Sequence, residues 1–227
     1  MATITKPLDS LVRVTAGHVQ LEGDLVIPPE ARGIVLFAHG SGSSRHSPRN
    51  RYVARILQEA GVGTLLLDLL TGDEEAADAY TGHLRFDIDL LASRLVGATD
   101  WLLRRSETRD LPLGYFGAST GAAAALVAAS ERPGNIASVV SRGGRPDLAG
   151  DALASVHAPT LLIVGGDDIP VLALNREALR LLAAREKQLI VIPGATHLFE
   201  EPGALEEVAR VAAEWFVRYL RPTATAG

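Results

Sequence analysis

Leu113-Gly114-Tyr115-Phe116-Gly117-Ala118-Ser119-Thr120-Gly121-Ala122-Ala123-Ala124-Ala125-Leu126 is the stretch that decides how this chain is read. Its first part is short and apolar, as a buried strand is. Its last part is rich in alanine, as a helix packed closely on a sheet is. Between them stands Gly117-x-Ser119-x-Gly121. A strand that turns sharply into a helix forces the corner residue into a strained conformation, and glycines two residues to either side leave the backbone room to turn. The hydroxyl of Ser119 is then expected to stand clear of the sheet, at the positive end of a helix. The motif alone is common by chance. The strand before it and the helix after it make it specific.

Working outward, residues from about Leu11 to Ile27 alternate like a hairpin, with turns offered by Ala16-Gly17 or Glu22-Gly23. Residues 33–38 form a continuous apolar run, the pattern of a strand buried on both faces of a parallel sheet. The small-residue loop His39-Gly40-Ser41-Gly42-Ser43-Ser44 follows it. Ser47-Pro48 predicts a helix start and Gly61 its end. Residues 63–68 predict the next buried strand, and the acidic stretch Asp73 to Asp78 reads as a solvated loop or helix start. Ile88 to Leu103 has helical spacing. Beyond the central stretch, strands are expected at 136–140, 160–165 and 188–192, with helices over Asn175 to Ala184 and Leu205 to Leu220. This alternation predicts an α/β fold, a mostly parallel sheet with helices on both faces and the hairpin as antiparallel edge strands. Only about twenty residues separate the strand ending at Val140 from the one starting at Thr160, so no lid domain is expected. A single domain over residues 1–227 is expected, with 1–10 and 221–227 as flexible tails.

Composition narrows the function. Hydrophobic residues make up 47% of the 227, enough for a large core, and the net charge of -5 does not suggest a nucleic-acid partner. The absence of cysteine excludes disulfides, a thiol nucleophile and a thiolate metal site. No His/Asp/Glu cluster has metal-ligand spacing, so neither metal nor cofactor is expected. With no signal core after Met1 and no membrane-length apolar run, a cytoplasmic protein without membrane contact is expected, monomeric or homodimeric.

In an open α/β sheet, ligands gather beyond the carboxyl ends of the strands. Just past the apolar runs lie His39-Gly40-Ser41, Asp68, Ser119, Arg142 to Arg145, Asp167-Asp168 and His197. A serine hydroxyl needs a base within hydrogen-bond reach, and the base needs an orienting anion. His197, in a loop after the last strand, is of the residue type suited to proton shuttling. Asp168 follows the strand before it. The order Ser119, Asp168, His197 is that of the α/β-hydrolases.

From roughly Leu25 to Leu220 the chain resembles a compact, lidless α/β-hydrolase of the dienelactone hydrolase-like group. The matching pieces are Leu36-Phe37-Ala38-His39-Gly40-Ser41-Gly42, Gly117 to Gly121, Pro159 to Asp168, and Pro193-Gly194-Ala195-Thr196-His197. The resemblance aligns the acid with Asp168 rather than Asp167, through the spacing Gly165, Asp168, Val171. It implies an oxyanion hole made by the backbone N–H groups of Thr120 and Ser41. One departure is that dienelactone hydrolases use a cysteine nucleophile where this chain has Ser119, which favours ester hydrolysis over the dienelactone reaction.

Arg142 and Arg145 admit two readings: one of them pairs with a substrate carboxylate, or each forms a salt bridge with Asp147 or Asp68 that fixes its loop. The second is favoured because acids lie near. His39 reads as a structural tie for its loop, and His46 as a surface residue. The expected activity is hydrolysis of small or short-chain carboxylic esters, with a small-molecule ester as partner. Acyl transfer or perhydrolysis by the same three residues is the rival within enzymes, and a non-catalytic binding module is the rival outside them.

Overall fold

The apolar runs Ile34–Ala38 (β3), Gly63–Leu67 (β4), Leu113–Ala118 (β5) and Thr160–Gly165 (β7) are buried at every position. Strands of this kind need cover on both faces, which a parallel sheet with crossover helices provides. The computed structural model, which describes residues 7–221, shows that arrangement. Eight strands lie in the order β1-β2-β4-β3-β5-β6-β7-β8, where β1 is Leu8–Ala16, β2 Val19–Ile27, β6 Ile136–Arg142 and β8 Lys187–Ile192. Strands β3 to β8 run parallel, and β2 joins β4 antiparallel.

The hairpin turns at Gly17-His18, where Gly17 has φ 62°. Gly23, the other candidate turn, lies inside β2, opposite Val12. The expected tail through residue 10 is corrected at its inner end. Leu8, Asp9 and Ser10 pair with Ile27, Val26 and Leu25 as the start of β1. Of the remainder, Pro7 and Arg221 are described, and residues 1–6 and 222–227 lie outside the described residues.

Helices α1 (Pro48–Glu59) and α6 (Ala204–Tyr219) cover one face; α3 (Ile88–Arg104) and α4 (Thr120–Glu131) cover the other. The Ser47 hydroxyl caps α1 by accepting from Asn50 N–H. The acidic stretch proves to be a helix, α2 (Gly72–Thr81), started by a reciprocal capping box between Thr71 and Glu74. Helix α5 (Ile169–Leu181) begins well before the expected Asn175; Asp168 sits at its N-cap position without a side-chain bond to it, and Pro170 fits its first turn. A 3-10 stretch over Pro146–Ser155 follows β6.

From β3 the chain goes first to β4 on one side and later to β5 on the other. The reversal opens a crevice at the carboxyl ends of β3 and β5, where Gly40-Ser41 and Ser119 sit.

Candidate active site

Ser119 joins β5 to α4 at φ 51°, ψ -120°. That backbone region costs a non-glycine residue about 1–3 kcal/mol. Close packing on both sides imposes it. A Cβ on Gly117 would stand 2.4 Å from Ala122 Cα, and one on Gly121 would stand 2.3 Å from the Ala38 carbonyl oxygen. The Ser119 N–H donates to the Arg142 carbonyl at 3.2 Å, and the Ser119 carbonyl accepts from Arg145 N–H at 3.1 Å. The corner is thereby clamped to the end of β6. Ala122 to Ala125 are fully buried, so α4 lies close against the sheet and aims its N-terminus at the corner.

Strands β7 and β8 bring the acid and the imidazole together. Their loops are stitched by Gly166 N–H to Ile192 O at 2.8 Å and Asp167 N–H to Ala195 O at 3.0 Å. Gly165 permits the approach, since a Cβ there would stand 2.3 Å from Ala195 O. The Asp168 carboxylate makes no capping bond to α5. It accepts instead from His197 Nδ1–H at 2.7 Å, while Asp167 is exposed. The contact fixes the proton on Nδ1 and leaves Nε2 as the basic nitrogen. Beyond His197, Phe199 is buried at φ 55° and anchors the loop.

His197 packs over Gly143, where a Cβ would stand 3.2 Å from His197 O and 3.6 Å from its Cε1. Gly143 follows Arg142, whose carbonyl holds Ser119. The turn after β6 thus touches both the Ser119 backbone and the His197 loop. No hydrogen bond joins Ser119 Oγ to the imidazole; the Asp168 contact is the polar bond within the trio.

The two backbone donors differ. The Thr120 N–H lies in the first turn of α4, where no intrahelical acceptor exists. The Ser41 N–H is in use: it donates to Thr120 Oγ1 at 2.9 Å. Of the two implied oxyanion donors, the Ser41 N–H is thus lent to the neighbouring hydroxyl.

His39 ties this loop down. Its Nε2 accepts from Leu69 N–H at 3.2 Å, and its Nδ1–H donates to Gly40 O at 3.0 Å. Burial lowers its pKa below the usual 6.5, against smaller opposing effects of the Gly40 bond and Asp68. Arg45, which sequence reasoning missed, is the second tie. Its backbone N–H and guanidinium both reach Asp68, and the guanidinium also meets Glu22 at 2.7 Å and Asp24 at 3.7 Å. Its spacing from those acids in the chain carried no signal.

Arg145 forms a two-pronged pair with Asp147 at 2.9 and 2.7 Å. Arg142 does not fit the favoured salt-bridge reading. Asp68 is taken by Arg45, and among the described residues no acid pairs with Arg142. A cavity of about 620 Å³ takes in Gly40, Ser41, the exposed His46, Arg49, Glu75 and Asp78; Ser119, Asp168 and His197 are not in its lining. Among the described residues no group of His, Asp or Glu could hold a metal ion, and no helix is long and apolar enough to cross a membrane.

A doubly wound sheet with a strained serine corner, and an Asp–His pair beside it, defines the α/β-hydrolase class. The sequence pattern of the dienelactone hydrolase family matches residues 21–221, and the chain belongs to that family. It is similar to a dienelactone hydrolase from Anabaena variabilis: 65% identical, TM-score 0.93, with 95% of this chain and 99% of that one covered. A Mycobacterium tuberculosis protein, provisionally named a phosphoribosyl transferase, is 60% identical over 212 residues, 93% of this chain and 47% of that protein. The chain thus spans about half the length of the curated relatives it matches. Est1E from Butyrivibrio proteoclasticus shares the fold at 16% identity, TM-score 0.77, covering 92% of this chain and 98% of that one.

Two outcomes follow from the packing. Gly121→Ala must push α4 off the β3 loop and is expected to destabilise the protein by about 3 kcal/mol or more, read as a lowered urea midpoint; an unchanged midpoint would contradict the close approach. His39 is held neutral, with its folded pKa below the unfolded value, so its contribution is present above about pH 6.5 and is lost as pH falls through the lowered folded value. Between about pH 7.5 and about pH 5.5 the wild type should lose more stability than His39→Gln. Equal losses would mean that His39 contributes no such linkage.

Proposed function

We propose that this chain is a serine hydrolase of small carboxylic esters that works through an acyl-enzyme. The observation that carries this reading is the 2.7 Å bond from His197 Nδ1 to Asp168 Oδ2, set beside a serine held at φ 51°. In the proposed cycle His197 Nε2 takes the proton of Ser119 Oγ as the oxygen attacks the ester carbonyl. The imidazole is 39% exposed at its side chain and so has room to turn toward the serine in this cycle. The tetrahedral oxyanion accepts from Thr120 N–H and from Ser41 N–H once Thr120 Oγ1 rotates away. Asp168 stabilises the imidazolium, which then protonates the leaving alcohol. Water, deprotonated by the same histidine, releases the acid and restores the serine. The exposure of His197 also lets water reach the acyl-enzyme, which favours hydrolysis over acyl transfer.

Serine in place of the cysteine of dienelactone hydrolases supports ordinary esters as substrates. The transferase name of the mycobacterial relatives describes proteins about twice as long as the part matched here, and it is not carried to this chain.

Turnover of a short p-nitrophenyl ester tests the assignment. Ser119→Ala should fall to the uncatalysed rate while keeping its circular dichroism. Asp168→Asn, which presents the wrong tautomer to the serine, should lose on the order of 10⁴-fold in kcat, the loss known for that change in a serine protease. Full activity in Ser119→Ala would require a different nucleophile.

A further inference from the structure

Arg142 ends β6 and is 8% exposed. Its Nη1 is buried with no hydrogen-bond partner, and among the described residues its guanidinium makes no ion pair. The charged group whose field reaches it is another cation, Arg49, in the first turn of α1. Arg49 also has a buried, unpartnered nitrogen, Nε, and its Nη1 reaches only Glu200, at 3.2 Å, whose side chain is 66% exposed. Burial first, and then the Arg49 charge, bring Arg142 down to about 10, so it stays protonated at neutral pH.

Arg49 bonds Glu200, next to Phe199, whose ring lies 3.3 Å from where a Cβ on Gly143 would stand, so both cations border the His197 loop. Like charges near each other in a partly dry interior destabilise the fold unless an anion joins them. A core position serving stability alone would be filled by an apolar chain or a paired one. The place of the pair is specific. The Arg142 carbonyl holds the Ser119 N–H, and the next residue packs under His197. Arg49 lines the cavity of about 620 Å³ that also takes in Gly40 and Ser41.

We infer that Arg142 and Arg49 form an anion subsite beside Ser119 that takes a phosphate group, and that the ester substrate carries a phosphate monoester. The ester part rests on the hydrolase reading above; the anion-binding part does not. A carboxylate has two oxygens, which a single guanidinium fork satisfies. Donors arriving from two elements, β6 and α1, call for the three free oxygens of a phosphate monoester, and two positive charges match its charge near neutral pH.

Binding is tested apart from catalysis with inorganic phosphate and the Ser119→Ala protein. Phosphate should raise its Tm saturably, acetate at the same ionic strength should not, and adding Arg142→Met should abolish the rise. Arg49→Met in the same background gives a second reading should Arg142→Met fold poorly, and it should weaken the rise too. No rise, an equal rise with and without both arginines, or an equal rise with acetate overturns the phosphate site. In the active enzyme, kcat/KM for a phosphate-bearing ester should exceed that for its neutral counterpart. Arg142→Met should lower that ratio at least tenfold, about 1.4 kcal/mol. A ratio near one in the wild type, or equal losses on both esters, overturns the substrate assignment. If no ester is turned over at all while phosphate still raises Tm through Arg142, the hydrolase reading fails and the anion site stands.

Discussion

The backbone at Ser119 is held at φ 51°, ψ -120° by contacts that tolerate no side chain at Gly117 or Gly121. Much of the structure depends on that corner. It fixes where β5 ends and where α4 begins, and it sets the serine against the β3 loop, with Gly40 packed on its Cβ. The strain is sustained because the surroundings over-determine it. Four consecutive buried alanines press α4 to the sheet, and the end of β6 grips both peptide groups of the serine. The same compactness leaves the serine half-buried at the rim of the sheet.

Charge is distributed unevenly around this corner. The β3 loop is tied by a neutral buried imidazole at His39 and by Arg45, which answers three carboxylates. These ties position the Ser41 N–H without touching the serine. Arg145 is neutralised by Asp147. Arg142 stands apart from this pattern, buried next to the serine with no counterion among the described residues. In a chain where neighbouring arginines find acids, this unpaired buried one is the feature on which the proposed anion subsite rests.

Much of this was legible in the sequence, for stated reasons. Strands buried on both faces are unbroken apolar runs, and β3, β4, β5 and β7 were read within a residue at each end. The elbow was legible because Gly117-x-Ser119-x-Gly121 stood between two readable elements. The register of Gly165, Asp168 and Val171 distinguished Asp168 from its neighbour, and the carboxylate that meets the imidazole is that of Asp168. What was hidden had no periodic signature. Helix α2 buries only Asp78, so its apolar face is absent and only the Thr71/Glu74 cap marked it. The start of α5 was missed because Pro170 in its first turn interrupts the apolar spacing there. The choice of partner by Arg45, Arg142 and Arg145 is set by contacts between distant elements, on which spacing in the chain is silent. The occupation of the Ser41 N–H by Thr120 Oγ1 joins residues 79 positions apart and is equally invisible.

The central claim is that packing and the His197–Asp168 pair together make Ser119 an activated nucleophile. Labelling the folded protein with a fluorophosphonate and locating the adduct by peptide mass spectrometry tests it most directly. The account predicts one stoichiometric adduct, on Ser119. An unlabelled folded protein, or an adduct on another residue, would contradict it.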